Sequence, residues 1–598
     1  MSKLSFTLAQ EQAIHQSGTN LLVAAGAGSG KTRVLTERVV LRLTEGVSIT
    51  RLVVLTFTNA AADEMKQRIK EKIAKIPQLS LELRQIDTAM ISTFDAFALR
   101  MVKQYHYLLG LDKEIDVVDN VILADLKQRC LKDTLDRHYA LDDPLFSKVA
   151  IQLFDRGDRL LQEGVIVLAD GLEMIANQQT YLDEMIHLTN DREKNQLIDA
   201  FYKLCQEHLH DIRSLVQETL EEANQIDHEK VQRFSEQITC QYDPLFSAMT
   251  LDELVALLSK WKNPIFPRAS DFLPAEELEI LKARYEQTKE RLNDLRTLFK
   301  TLMCDSVSEM KADLSRLTDT IQVVVAITRD YLSLLEQRKR EQSLFHFTDI
   351  MHLAIRLFQN HPALLREFRT QIFEVMVDEY QDTNDLQEYL LEMIADNNLF
   401  AVGDIKQSIY GFRNANPQNF LKKYQDYCQN IHGEAISLTD NFRSRKEVID
   451  AVNWVFSQVM DAEIGGIDYH DDQRLVASNT SYETYFNANQ SATPDILLYE
   501  RTDQEPLCAS ERLEAEALAI KNDIIHKINT KYQVYDPQLK VLRTVHFSDF
   551  AIIVDRKTNF PIFQQALVSG KIPVLARTET PFSASEEIVF LIQFCTLL

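Results

Sequence analysis

The chain is poor in glycine, tryptophan and cysteine, and it has no long apolar run. Glycine occurs 15 times and tryptophan 2 times in 598 residues, and no glycine lies between Leu172 and Val402. The 7 cysteines are scattered, without a CxxC pair or clustered histidines, so we expect reduced thiols and neither a zinc site nor an iron–sulfur cluster. No segment approaches the roughly 18 apolar residues of a membrane span, and no basic start precedes an apolar stretch. These absences predict a soluble, intracellular protein.

Positive charge is also in short supply. Lysine and arginine total 65 against 89 acidic residues, which gives a net charge of −24. This balance disfavours a protein that binds DNA through a broad basic surface. It leaves open a local groove in which aromatic side chains stack on single-stranded bases. At 598 residues the chain exceeds the size of a single core, so we expect several domains.

Helix and strand patterns predict an α/β core that carries a long helical insertion. The glycine-free stretch is rich in helix formers, and Glu276–Leu298 and Met310–Arg338 have apolar residues at three- and four-residue spacing. Strand-like runs alternate with helices elsewhere, which predicts a parallel sheet covered on both faces. The first set of strands is Asn20–Ala25, Arg51–Phe57, Met90–Thr93, Ile372–Val377 and Leu399–Val402. A second set, predicted to begin another α/β core, is Ala435–Leu438, Asp495–Tyr499 and Phe550–Val554.

A glycine-rich segment follows the first predicted strand and opens a helix. It reads AAGAGSGKT over residues 24–32. Glycines let successive backbone N–H groups turn around an anion, and the helix N-terminus adds partial positive charge. Lys31 can then reach the β- and γ-phosphates of a nucleoside triphosphate, and the Thr32 hydroxyl can ligate Mg²⁺. Ala25 stands where the strict motif has glycine, and the alternative is a flexible Gly/Ser turn; the flanking strand and helix favour triphosphate binding.

Two adjacent carboxylates come at the end of another apolar strand. Asp378 and Glu379 directly follow Val375–Val377. In doubly wound sheets ligands lie at the carboxyl ends of strands, where the glycine-rich loop also opens. Asp378 is therefore a candidate Mg²⁺ ligand, and Glu379 a candidate base that orients and deprotonates an attacking water. The alternative, an acidic surface turn, fits poorly with the apolar residues before it.

Two further polar segments follow later strands. After Val402 comes a loop in which Gln407 can sense a γ-phosphate. The same loop carries Tyr410, Phe412 and Arg413, a combination suited to stacking unpaired bases and contacting phosphate, although aromatics at this spacing also occur in cores. Arg443, near the start of the predicted second core, is placed to reach across a cleft to the nucleotide as arginine fingers do.

Taken together, these segments resemble a superfamily-1 DNA helicase of the UvrD/Rep/RecB type. The matching blocks, in order, are Phe6-Thr7…Gln10…Ala13-Ile14, the loop at 24–32, TFTNAAADEM at 56–65, VDEYQDTN at 377–384, VGDIKQSIYGFR at 402–413 and NFRSR at 441–445. Finer features are similar to the A subunits of bacterial AddAB (RexAB) helicase–nucleases. These features are STFDAF at 92–97, QYHYLL at 104–109 and IDY at 467–469.

The resemblance implies roles for individual residues. Gln10 would read the adenine edge, and Gln407 and Arg443 would couple the γ-phosphate to movement of the lobes. The nucleotide site would comprise Gln10, Ala25, Gly26, Ala27, Gly28, Ser29, Gly30, Lys31, Thr32 and Arg33, with Thr32 and Asp378 on Mg²⁺ and Glu379 as base. The single-stranded DNA path would comprise Phe57, Thr58, Asn59, Thr93, Tyr410, Phe412 and Arg413. The sequence departs from the family at Asp95, where relatives often have His, and at Phe412, which replaces a Trp of several relatives.

The resemblance also implies an architecture. We expect a RecA-like P-loop NTPase lobe at 1–105 and 340–435, a large helical insertion at 106–339, and a partial second RecA-like lobe at 436–598. In residues 445–598 we find neither the two remaining helicase blocks nor the nuclease motif of the helicase–nucleases. We therefore expect a fragment or a truncated gene product, the alternative being a naturally short family member.

By resemblance, the intact protein would be a bacterial, cytoplasmic, nucleoid-associated helicase. It would hydrolyse ATP to move 3′→5′ along one strand, and would unwind duplex ends for double-strand-break repair and recombination with an AddB/RexB-type partner. ATP and Mg²⁺ are the implied cofactors. Two alternatives remain: a stand-alone UvrD-like repair helicase, and a module that binds ATP and DNA without translocating.

Overall fold

The main sheet of the computed structural model contains six parallel strands. Its order is β3-β2-β6-β7-β1-β8. The strands are β1 (Leu21–Ala25), β2 (Leu52–Thr56), β3 (Met90–Thr93), β4 (Asp116–Val117), β5 (Leu344–Phe345), β6 (Glu374–Val377), β7 (Leu399–Gly403), β8 (Glu434–Leu438), β9 (Asp440–Asn441), β10 (Val476–Ala477), β11 (Gln533–Asp536) and β12 (Val541–Thr544). The α/β class predicted from the sequence is confirmed.

The structure describes most of the chain. The described residues are 6–118, 120–153, 158–187, 191–269, 275–302, 306–462, 466–469, 473–479, 494–496, 509–536, 539–576, 588, 590–591 and 594. The helices are α1 (Leu8–His15), α2 (Lys31–Thr44), α3 (Asn59–Ile73), α4 (Ser80–Gln85), α5 (Phe94–Gln104), α6 (Asn120–Ala140), α7 (Pro144–Leu153), α8 (Arg159–Leu172), α9 (Gln178–His187), α10 (Asp191–Asn224), α11 (Glu229–Phe246), α12 (Leu251–Ser259), α13 (Ala275–Leu302), α14 (Val307–Gln342), α15 (Phe347–Asn360), α16 (Pro362–Gln371), α17 (Asp385–Ile394), α18 (Pro417–Cys428), α19 (Lys446–Val459), α20 (Ala509–Asn529) and α21 (Phe560–Ser569). Within these ranges, every helix is too short or too polar to cross a bilayer.

Both faces of the main sheet are buried, as the continuous apolar strands predict. Leu21 and Val23 of β1 pack in one core, and Leu22 between them packs in the other. The same alternation holds in β7, where Phe400 and Ala401 face opposite cores. Because side chains alternate along a strand, a strand with apolar residues at every position must lie between two layers of helices.

The strand predicted at Ala435–Leu438 belongs to a different sheet from the one expected. The sequence prediction placed it at the start of a second core, but β8 pairs in parallel with β1 as the edge strand of the main sheet. The reason is continuity of burial: Ile436 and Leu438 join the core that contains β1. The pairing of β8 with β1 places the segment after Leu438 next to the glycine-rich loop.

Of the other two strands predicted for a second core, one is absent from the structure and the other lies mostly outside the described residues. Phe550–Val554 forms no strand, although it is fully described, and no strand among the described residues pairs with it; its Ile553 is 96% exposed. For Asp495–Tyr499, residues 497–499 lie outside the described residues, and 495–496 are not in a strand. In this region α20 and α21 pack together around Ile524 and Leu567, beside the antiparallel pair β11–β12.

Within the described residues, the glycine-free block is mostly helical, as predicted. Helices α6–α14 form the insertion, and the predicted segments Glu276–Leu298 and Met310–Arg338 lie inside α13 and α14. The insertion joins the main lobe where β4 and β5 pair in parallel, with Asp116 opposite Leu344. The helices bury two main cores of their own, one of them around Phe234 and Tyr285.

Candidate functional site

The glycine-rich segment forms a tight loop between β1 and α2. Gly28 and Gly30 have φ values of +70° and +86°, in the left-handed region that favours glycine, and Gly30 caps the N-terminus of α2. A Cβ added at Gly28 would lie 2.8 Å from Asn441 Nδ2 and 2.9 Å from Arg443 Cβ. Glycine is therefore required here by both conformation and space, and the loop opens at the carboxyl ends of the strands.

Two neighbouring segments hold this loop. From one side, Gln10 is 2% exposed and its Nε2 donates to the Ser29 carbonyl at 2.9 Å. From the other, Asn441 Nδ2 donates to the Ala27 carbonyl at 2.6 Å, and the Phe442 amide donates to the Gly28 carbonyl at 2.9 Å. The loop is thus joined by hydrogen bonds to the segment that carries Arg443.

The two adjacent carboxylates, Asp378 and Glu379, which we call the acid pair, lie opposite the start of α2, although the two segments are far apart in sequence. Only β7 separates β1 from β6 in the sheet, so the two carboxyl ends are about 10 Å apart, and side chains close the gap. Lys31 Nζ lies 2.7 Å from Glu379 Oε2. Asp378 beside it is 7% exposed. The structure therefore brings Lys31 together with the acid pair, as the predicted magnesium–triphosphate pocket requires.

The electrostatics of Asp378 are set mainly by burial. Burial raises the pKa of Asp378 to about 6, the neighbouring Glu379 adds to the rise, and Lys31 opposes it. Glu379 itself has φ +51°, which is uncommon for a residue with a side chain and is typical of functional sites where the fold sustains backbone strain.

At pH 7.5 the Asp378→Asn variant is expected to be more stable than the parent. The pKa of this carboxyl is about 6 when folded against an ordinary value of 3.8, so the parent loses stability as the pH rises through that range. The difference corresponds to about 3 kcal/mol. Urea unfolding followed by circular dichroism at pH 7.5 and pH 4 should show the advantage of Asn at pH 7.5 and little of it at pH 4; equal stability at pH 7.5 would contradict the assignment.

A third loop reaches the acid pair through Gln381. Its Nε2 donates to Glu379 Oε2 at 3.0 Å, and its Oε1 accepts from the Asp404 backbone amide at 2.9 Å. Asp404 Oδ2 in turn accepts from Gln407 Nε2 at 2.7 Å. Gln407 thus contacts Asp404 directly, and it is joined to the acid pair by Asp404 and Gln381.

The predicted DNA-stacking residues form one surface cluster, which we call the aromatic platform (Phe57, Tyr410, Phe412 and Arg413). The rings of Phe57 and Tyr410 are 4.7 Å apart, and those of Tyr410 and Phe412 are 5.8 Å apart. The Arg413 guanidinium lies 5.6 Å from the Tyr410 ring centre. Phe412 is 79% exposed, so its ring is available to a ligand rather than buried in a core. Segments distant in sequence thus supply a cluster of aromatic rings with a cation beside it, as base stacking needs.

Two helix N-termini open on the same side as the platform. Thr58 caps α3 by accepting from the Ala61 amide, and Thr93 caps α5 by accepting from the Ala96 amide. Asn59 is the first residue of α3 and is exposed. Helix N-termini attract anions, so this edge suits a nucleic-acid backbone. A groove lined by Phe57, Thr93, Arg413 and others also contains Asp95, whose pKa is raised by burial.

The residues at the loop fit a triphosphate and Mg²⁺. Within the described residues, the Ser29 hydroxyl is buried without a hydrogen-bond partner, as expected for a group that faces an anion. Thr32 lies in the first turn of α2 and Asp378 at the end of β6, and hydroxyl and carboxylate oxygens are ligands that Mg²⁺ prefers. The Arg33 guanidinium lies 4.3 Å from the Phe6 ring centre.

Sequence reasoning missed two residues of the site. Gln381 and Asn441 stood inside the quoted motifs without an assigned role, yet both are buried and join separate loops. An uncharged amide among acids, and an amide just after an apolar strand, were the available signals. For Gln10, the structure shows an amide already bonded to Thr7 and Ser29.

Comparison with known proteins gives a consistent result. Residues 6–428 match the family model described as UvrD/REP helicase N-terminal domain. A protein of Ligilactobacillus salivarius, named as the A subunit of an ATP-dependent helicase/nuclease, is 29% identical over 99% of this chain and 50% of its own length. Proteins of the same name from Levilactobacillus brevis and Geobacillus thermodenitrificans are each 30% identical, over 98% and 97% of this chain and 50% and 49% of their own lengths. The chain spans about half the length of these curated relatives.

Proposed function

Because the chain belongs to the UvrD/REP helicase family, we propose that it is the motor part of an ATP-dependent DNA helicase subunit. It would move 3′→5′ along single-stranded DNA and process duplex ends during double-strand-break repair. The relatives are named as one subunit of a helicase/nuclease, so the proposal includes a second subunit of AddB/RexB type and a location at the bacterial nucleoid. One observation carries the proposal: the Lys31–Glu379 contact is linked by hydrogen bonds to the loop that carries the aromatic platform.

The geometry supports a division of labour in hydrolysis. Lys31 exchanges Glu379 for the β- and γ-phosphates, which releases the carboxylate to orient and deprotonate water. Mg²⁺ on Thr32 and Asp378 would neutralise phosphate charge. Arg443 follows a segment bonded to the loop, so a change at the phosphates reaches the residues after β8 directly.

Steady-state ATP hydrolysis with and without oligo(dT) tests the proposal. We expect turnover that depends on Mg²⁺ and rises with single-stranded DNA. Strand displacement from a duplex with a 3′ tail, compared with a 5′ tail, tests direction. Unwinding without any second protein would favour a stand-alone repair helicase, whereas binding of ATP and DNA without stimulated turnover would identify a non-translocating module.

The Phe412→Ala variant is expected to bind single-stranded DNA more weakly. Removing one exposed ring from the aromatic platform should cost about 1–3 kcal/mol, or roughly 5- to 150-fold in affinity. Fluorescence anisotropy with labelled oligo(dT) measures this at fixed salt. Phe547→Ala, an exposed phenylalanine outside the platform, is the matched control. Equal affinity of the Phe412 variant and the parent would remove Phe412 from the DNA path.

A further inference from the structure

The amide of Gln381 connects two segments of the site and is almost completely buried. It is 1% exposed. Its Nε2 lies 3.0 Å from Glu379 Oε2 and 3.1 Å from Asp382 Oδ2, so one NH₂ group serves two carboxylates. Its Oε1 accepts from the Asp404 amide, in the loop after β7. The hydrogen bonds found for this side chain therefore join Glu379 and Asp382 to that loop.

The backbone is shaped to permit this contact. A Cβ at Gly403 would lie 2.5 Å from the side-chain Oε1 of Gln381 and 3.1 Å from the backbone nitrogen of Gln381. Gly403 does not have positive φ, so close approach and not backbone conformation explains glycine at this position. The last residue of β7 thus provides the space in which the Gln381 amide reaches the Asp404 amide.

The loop continues from this contact to the aromatic platform. Asp404 accepts from Gln407 and forms an ion pair with Lys406 at 2.8 Å, which fixes the turn. Ser408 Oγ donates back to the Gln381 carbonyl at 3.3 Å. Tyr410 follows two residues later and packs on Phe57. Tyr410 is therefore joined to Gln381 through a short, hydrogen-bonded turn.

We propose that Gln381 is a positioning residue that couples occupancy of the aromatic platform to the orientation of the Glu379 carboxylate. Movement of the 404–410 loop shifts the Gln381 amide, and the shift changes the balance between the Lys31–Glu379 ion pair and the carboxylate geometry needed to orient water. The inference rests on the proposed function and adds the residue through which DNA stimulates hydrolysis.

Gln381→Met, with a side chain of similar length that makes no amide hydrogen bonds, tests the coupling. We expect kcat at saturating oligo(dT) to fall about tenfold, while the KM for ATP and the Kd for labelled oligo(dT) stay within about twofold. The matched control is Gln359→Met. In the parent the Gln359 amide donates to Asn177 and Tyr389, away from the acid pair. An unchanged ratio of kcat with and without DNA would overturn the proposal, as would a fall explained by a raised KM or Kd.

Gly403→Ala probes the same contact from the other side. It should displace the Gln381 amide and lower DNA-stimulated kcat to a similar extent. In the Gln381→Met background, the added effect of Gly403→Ala should be less than about twofold, because the contact is already lost. Equal effects in both backgrounds would exclude this route.

A second substitution at Gln381 tests the same contact, with thermal unfolding as the check on folding. Gln381→Glu keeps an acceptor for the Asp404 amide but places a third carboxylate beside Glu379 and Asp382. Its DNA-stimulated kcat should fall at least as far as that of Gln381→Met, with thermal unfolding measured alongside; parental stimulation would overturn the proposal. If the parent chain shows no DNA-stimulated hydrolysis, the proposed function and this inference both fail, whereas unaltered stimulation in the Gln381 variants leaves the proposed function standing.

Discussion

Lys31→Ala is expected to lower ATP turnover by at least about 10²–10³-fold while leaving the fold intact. The Lys31 side chain is 11% exposed, and its ammonium lies between the glycine-rich loop and the acid pair. On the proposed function Lys31 would stabilise charge developing on the phosphates, and alanine removes that cation. The fold should persist because the side chain anchors no core.

The measurement is steady-state hydrolysis with and without oligo(dT), with circular dichroism as the check on folding. Lys70→Ala is the matched control, since Lys70 is 44% exposed and meets Asp87 only at 3.8 Å on the surface. It should match the parent. If Lys31→Ala retains DNA-stimulated turnover, the nucleotide pocket has been misassigned and the motor interpretation fails.

Of the substitutions proposed for this protein, Glu374→Gln should lower the free energy of unfolding the most. Glu374 begins β6, is 5% exposed and accepts from Arg38 Nε at 3.1 Å and Arg42 Nε at 3.4 Å. Burial lowers the pKa of Arg38, and Glu374 opposes that change. The neutral variant removes the counter-charge of the buried Arg38 and leaves the buried Arg42 paired only with the half-exposed Glu45, a change that typically costs about 3–5 kcal/mol.

The loss should spread to α1. Arg38 Nη1 donates to the Ala13 carbonyl at 2.6 Å and Arg42 Nη2 to the Gln16 carbonyl at 2.9 Å, so these arginines fasten the helix that carries Gln10. Hydrogen exchange should therefore accelerate in both α1 and β6, and urea unfolding should shift to lower concentration.

Glu45→Gln provides the comparison. Glu45 also pairs with Arg42, at 2.9 Å, but its side chain is 46% exposed. Loss of this pair should cost no more than about 1 kcal/mol. Equal effects of the two substitutions would mean that the buried charges around Glu374 are compensated by other groups.

The sequence was most informative where one local pattern determines one element. Continuous apolar strands such as Leu52–Thr56 predicted a sheet buried on both faces, and helical spacing predicted α13 and α14. Membership of a sheet was harder, because pairing of β8 with β1 depends on contacts between segments more than 400 residues apart. Phe550–Val554 has strand-like residues but no pairing strand in the structure, and a strand needs a partner.

For the candidate site, motifs predicted which residues would meet, and geometry added how they are joined. The Lys31–Glu379 contact follows from two motifs at the carboxyl ends of strands in one sheet. The bridging roles of Gln381 and Asn441 could not be assigned, since the bond by which each amide reaches another loop is to a backbone group. A backbone amide or carbonyl is present at nearly every position, so it leaves no mark in the sequence. The catalytic and DNA-contact roles stay predictions.

The paired strands β4 and β5 have a consequence for how this protein can diverge. Val117 and Phe345 lie side by side, so the chain leaves the main lobe for the helical insertion and returns to it at the same place. A different appendage grafted between these two points would replace whatever the insertion touches, while the strands that build the pocket keep their neighbours. The main lobe can therefore acquire a different insertion at this place without a change in its sheet.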